Sequence, residues 1–178
     1  MLDLIFSGLE GIGTVIGAIA TIIGAYFVSM QIKATRESEE RSNVIKRKES
    51  TLNAYNAISD NLRKHNIFLR TQFNLEEKNS LTEEDMLRIQ NNPELLKHTN
   101  YIFDYLSQFA IGVKEGIYDI DTLSNISGRS FIRTYDRYHL YVQYMRSIYT
   151  ENIYTDTELF IEKLRKKFLD KGESYFNN

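Results

Sequence analysis

The sequence predicts an all-α protein in which an N-terminal membrane-crossing helix (1–32) continues into a long stalk helix (33–79) and is followed by a helical cytoplasmic domain (80–178). Three observations predict it. Residues 11–32 (GIGTVIGAIATIIGAYFVSMQI) are uncharged throughout. The only proline is at position 93, and there is no Gly-rich or Ser-rich linker. No segment sustains the two-residue apolar alternation of a half-buried strand.

The N-terminal run is long enough to cross a bilayer. At about 1.5 Å per residue it reaches roughly 33 Å, against a hydrocarbon core of about 30 Å. A cleaved signal peptide needs a basic leader and a small-residue cleavage site. Here the preceding residues include Asp3 and Glu10, and Tyr26, Phe27 and Met30 fill the far end. A buried helix of a soluble protein is a further alternative, but the glycine content is high for one. All 22 Lys and Arg residues follow the run. By the positive-inside rule the run spans a plasma membrane with the N-terminus facing out and everything from Lys33 onward in the cytoplasm.

From Lys33 to Asn79 there is no Gly or Pro, and apolar residues recur at Leu52, Tyr55, Ile58, Leu62, Leu69 and Phe73, spacings of three, four or seven that fit one long helix. Its first part is nearly all polar and fits a solvated connector. Ser80 with Glu83, or Thr82 with Asp85, offers a capping box for a short helix ending near Asn91 and Asn92. Pro93 suits the first turn of a helix over about 94–115, which Gly116 ends. Asp119 or Asp121 caps a short helix over 120–126; Gly128 then interrupts, and another helix runs over 129–149. Thr155 or Asp156 caps the last helix, 157–170.

Charge and composition exclude several functions. Residues 33–178 carry 22 basic and 22 acidic side chains, so an anionic ligand needs a local basic patch rather than a global field. With no cysteine there is no disulfide framework, thiol chemistry or Cys-ligated zinc. His65, His98 and His139 show no metal-site spacing, and there is no phosphate-loop or dinucleotide fingerprint. The aspartates of YDIDTLS lack the glycine and glutamate of a calcium loop and read as helix caps. No enzymatic activity, metal or cofactor is expected.

Two constellations remain. Within the run, Gly13, Gly17, Ala20 and Gly24 form a small-residue seam at heptad spacing, with Thr14 and Thr21 beside it and Glu10 at its head. Such seams let helices approach closely in lipid, where packing rather than hydrophobicity drives association. A ring of Glu10 carboxylates would attract cations, although a single carboxylate on a first turn is also favoured by the helix dipole and water. The second constellation is Arg129, Arg133 and Arg137 at spacing four, with Arg146 further on and Tyr135, Tyr138, Tyr141 and Tyr144 interleaved. Guanidinium groups fit phosphates bidentately and aromatic faces stack bases. The same row also fits ion pairs with neighbouring helices and tyrosines packed in a core.

Residues 101–146 resemble a widespread bacterial family of single-pass proteins that carry a helical domain of unknown function. Its pattern A-x-G-x-K-x-G-I-x-D is met by Ala110, Gly112, Lys114, Gly116, Ile117 and Asp119, and its following arginines and aromatic by Arg133, Tyr135 and Arg146. Layout and size are also similar to the membrane effectors of the Hailong antiphage system, channel-like oligomers paired with a nucleotidyltransferase. That resemblance implies a homo-oligomeric, ligand-gated ion pore, regulated by a nucleotide or short DNA oligomer and depolarising the membrane on infection. A membrane-tethered scaffold whose helices dock a protein partner is the alternative.

Overall fold

The computed structural model describes the backbone of residues 2–174 and the side chains of residues 23–174. Within it the chain is all-helical: α1 (Leu2–Phe73), α2 (Leu75–Lys78), α3 (Glu83–Asn91), α4 (Pro93–Lys114), α5 (Ile120–Arg137), α6 (His139–Ile148) and α7 (Thr155–Asp170). The chain divides into two units, 1–45 and 46–178.

In the first unit every described side chain, from Ile23 to Ile45, is exposed. Ile23, Tyr26, Phe27, Val28, Met30 and Ile32 are each at least 50% exposed. Among the described residues no helix is long and apolar enough to cross a membrane. Residues 11–22 of the expected span have side chains outside that description, and so do Glu10, Gly13, Thr14, Gly17, Ala20 and Thr21 of the expected seam. Gly24 is described, and a Cβ placed there would meet nothing within 4 Å.

In the second unit α4 is the central element, packing most extensively on α7 and also on α3, while α5 lies against α7. Leu95, Ile102, Phe103, Leu106, Phe109 and Ala110 bury one face of α4, the stripe that a helix at 3.6 residues per turn requires. Phe131 of α5 joins four helices: its ring lies 6.5 Å from Tyr55 of α1, 5.3 Å from Phe109 of α4 and 5.9 Å from Phe160 of α7.

The helix ends follow local chemistry. α1 stops at Phe73, short of residue 79, because Asn74 and Asn79 adopt left-handed φ values of 52° and 63°, a conformation that asparagine tolerates better than most side chains. Thr82 and Asp85 form the capping box of α3. Burial works to raise the Asp85 pKa, but hydrogen bonds from Thr82 and Lys78 outweigh it and hold the carboxyl below its ordinary value. The Asn92 side chain accepts from the backbone of Glu94 and Leu95, with Pro93 in the first turn of α4.

At the α4–α5 corner Gly116 takes φ +70°. Gly116 N donates to Val113 O at 3.2 Å and Ile117 N to Gly112 O at 2.9 Å, the paired bonds of a Schellman stop. Asp119 then caps α5, accepting from Thr122 N at 2.8 Å. The corner is tied to α1 by Thr51, whose buried hydroxyl accepts from Asp119 N at 2.7 Å and donates to Arg47 O at 2.6 Å. The motif that carries the family resemblance is therefore the hardware of a helix–helix corner.

Further helix boundaries differ from expectation. Gly128 does not interrupt a helix: it lies within α5, where a Cβ would sit 3.0 Å from the Phe168 ring of α7. Its lack of a side chain serves close packing rather than chain reversal. The break comes instead at Tyr138, so the expected helix over 129–149 is divided between α5 and α6. Tyr138 and Tyr141 are both wholly buried, and the Arg137 carbonyl accepts Leu81 N at 2.9 Å across the break. At α7 neither Thr155 nor Asp156 caps the helix; Tyr154 precedes it at φ 62° with no side-chain cap.

The fold also joins two histidines far apart in sequence. His65 Nδ1 of α1 and His98 Nδ1 of α4 lie 2.9 Å apart, with His98 stacked on Phe68 and His65 against Tyr101. Burial first, then the charges of His98, Lys97 and Lys64, hold His65 below its ordinary 6.5. The unfolded chain thus takes up this proton more readily than the folded one. The stability that a neutral His65 allows is complete above about pH 6.5 and falls as the pH drops toward the folded value. Urea denaturation from pH 7.5 to 5.5 is expected to show a steeper stability loss in the wild type than in His65→Gln.

Candidate functional site

α5 is positioned by its Asp119 cap at one end and by the Gly128–Phe168 contact along its length. Side chains four apart on a helix share a face, so Arg129, Arg133 and Arg137 form a row along α5. The last turns of α1 bring Asn66 and Arg70 opposite them, and the end of α7 contributes Phe168 and Lys171. Together these enclose a cleft of about 510 Å³, within the range of small-ligand sites. A second hollow of about 260 Å³ shares Asn66, Arg70, Ser127 and Ser130 with it and runs beside α1 past Arg63.

The cleft is electrostatically one-sided. Arg70, Arg129, Arg133, Arg137 and Lys171 line it, against the single carboxylate of Glu173. Some of these cations are partnered at the rim. Arg129 Nη2 lies 3.0 Å from Glu173 Oε2 and its guanidinium stands 5.4 Å over the Phe168 ring. Arg70 Nη2 donates to the exposed Glu76 at 2.7 Å, and Lys171 Nζ to Asn125 Oδ1 at 3.2 Å.

Arg137 is different. It is only 9% exposed, and among the described residues no carboxylate lies within 4.0 Å of its guanidinium. Burial first, then the charges of Arg70 and Arg133, push its pKa below the ordinary arginine value. A buried charge with no carboxylate in ion-pair contact is costly, and the more distant Glu76 charge and the dipole at the last turn of α5 offset only part of that.

Polar groups in the cleft are left unsatisfied from within. Asn66 Nδ2 donates to Thr134 Oγ1 at 3.0 Å, but Asn66 Oδ1, Arg70 Nε and Ser124 Oγ are buried with no hydrogen-bond partner among the described residues. Ser127, Ser130 and Thr134 add hydroxyls to the same wall. Of these, the Arg70 and serine groups are donors that suit an anion, whereas Asn66 Oδ1 is an acceptor. Among the described residues no cluster of three or more His, Asp or Glu side chains is arranged for a metal ion.

Of the expected ligand-binding residues, the structure brings Arg129, Arg133 and Arg137 together and leaves two elsewhere. Tyr135 is buried, its ring 6.3 Å from Phe103, and burial, with Glu158 nearby, pushes its phenol up to about 12. Arg146 of α6 pairs with Glu158 at 2.7 Å and donates to Ile153 O at 3.2 Å. Tyr138 and Tyr141 are also inside, Tyr141 donating to Asn100. The interleaved tyrosines are core rather than stacking faces.

Arg70, Asn66 and Lys171 are cleft residues that the row on α5 did not reveal. Arg70 and Asn66 stand four apart near the end of α1, a signal that gains meaning only once α1 is known to lie beside α5.

No curated protein and no solved structure matches the chain. A family model described as a domain of unknown function (DUF4760) matches residues 12–167. The match extends from within the apolar N-terminal run into α7, and the chain belongs to this family.

Proposed function

We propose that the protein is a non-enzymatic, homo-oligomeric membrane effector, in which the N-terminal run lies in the bilayer and the helical unit 46–178 sets the state of an ion-conducting assembly by binding an anionic ligand. The observation that carries this reading is the apolar stretch over 23–32, whose large side chains are at least half exposed around the helix. A surface of that kind needs an apolar partner, and it continues the uncharged run 11–22. The basic cleft supplies the place for a nucleotide or short oligonucleotide. A nucleotidyltransferase partner and a role in antiphage depolarisation rest on the resemblance in layout.

Gating is a population shift, so the ligand must bind one state of the assembly better than the other. Ion efflux from liposomes carrying the full chain is the test. Efflux that Gly17→Leu abolishes supports the reading, because leucine at the seam holds neighbouring helices apart. No efflux from the wild type, together with retained cellular activity when the run is replaced by polyleucine, overturns it in favour of a membrane-tethered scaffold.

A further inference from the structure

We infer that the cleft between α1 and α5 is a clamp for a small soluble anion carrying at least two phosphate-type charges, whose binding ties the end of α1 to α5. The inference deepens the proposed function, resting on the reading that the helical unit senses a ligand, and names the chemistry and the structural consequence of that sensing.

Three guanidinium groups meet here from two helices, Arg70 from α1 and Arg133 and Arg137 from α5. Like charges in a partly buried site repel, and the charges of Arg70 and Arg133 both act against the charge on Arg137. Arg70 is shared with Glu76 and Arg129 with Glu173, while Arg137 has no described carboxylate in ion-pair contact. A pyrophosphate or a nucleotide polyphosphate has oxygens enough to reach guanidinium groups on both helices, and guanidinium groups bind such oxygens bidentately. The hydroxyls of Ser124, Ser127 and Ser130 offer neutral donors for the remaining oxygens. The partnerless Ser124 Oγ and Arg70 Nε gain their hydrogen bonds by small side-chain rotations toward such a guest.

Repulsion in the empty state and attraction in the filled state give opposite signs for one substitution. Arg137→Met keeps much of the side chain's length and removes its charge. Without anion it is expected to raise the melting temperature of the full chain in mild detergent by about 2–4 °C, the shift that about 1 kcal/mol produces in a protein of this size. Inorganic pyrophosphate is expected to stabilise the wild type in the same scan, with orthophosphate weaker. In Arg137→Met the pyrophosphate shift is expected to disappear, and in Lys163→Met, a charge removed outside the cleft, to persist.

A pyrophosphate shift of equal size in wild type and Arg137→Met overturns the inference, as does a lowered melting temperature of Arg137→Met without anion. Stabilisation by short-chain phosphatidic acid but not by pyrophosphate overturns the assignment to a soluble anion and gives the site to a lipid headgroup. Because the scan needs no ion flux, a failed efflux experiment with an intact pyrophosphate shift sinks the pore and spares the clamp.

Discussion

Gly112→Ala is expected to destabilise the helical unit markedly, although it adds one methyl group to a helix. A Cβ at position 112 would lie 2.1 Å and 2.3 Å from Cδ2 and Cε2 of Tyr118 and 2.9 Å from its Cγ. Swinging the ring aside gives up its packing 6.0 Å from Phe109, and the alternative is a backbone shift. Tyr118 N and Ile117 N both donate to Gly112 O at 2.9 Å, so moving Tyr118 far enough disrupts the stop of α4 and the start of α5. Overpacking of this kind costs about 1–3 kcal/mol, and the upper end applies where backbone must shift. Gly116→Ala, at φ +70° with nothing within 4 Å of its Cβ position, suffers only left-handed strain, about 1 kcal/mol. Urea denaturation of the two variants is expected to rank Gly112→Ala as the less stable; the reverse order contradicts the packing argument.

The parts of the fold legible in the sequence were those governed by local chemistry. The Thr82–Asp85 box, Pro93 at the start of α4, Gly116 at its end and Asp119 before α5 each declare a boundary through one residue's backbone or side-chain preference. At Gly128 and Tyr138 the failures have one cause: tertiary packing overrides local preference. Gly128 is a helix breaker by propensity, yet the approach of Phe168 makes it the residue that fits there. The end of α1 at Asn74 and the break at Tyr138 occur without Gly or Pro.

The site divides in the same way. Spacing of four was enough to place Arg129, Arg133 and Arg137 on one face of α5, but the other wall of the cleft comes from α1 and α7. Tyr135 and Arg146 lie close to that row in sequence and face other partners, Phe103 and Glu158. The His65–His98 contact, 33 residues apart, carried no spacing signal.

The central claim is that the apolar N-terminal run lies in lipid and associates with copies of itself along its small-residue face. The chain contains no cysteine, so a single introduced thiol reports on one position alone. At 100° per residue Gly24 lies on the seam with Gly13, Gly17 and Ala20, while Tyr26 is turned about 200° away from Gly24. Close approach of two helices at a small-residue contact brings facing thiols within disulfide reach, about 4–7 Å between Cα atoms. The measurement is oxidative cross-linking of full-length Gly24→Cys and Tyr26→Cys in native membranes after alkaline extraction. The account predicts that both variants stay in the membrane pellet and that Gly24→Cys forms a disulfide dimer while Tyr26→Cys remains largely monomeric. Release of the chain into the soluble fraction, or equal cross-linking at the two positions, would contradict it.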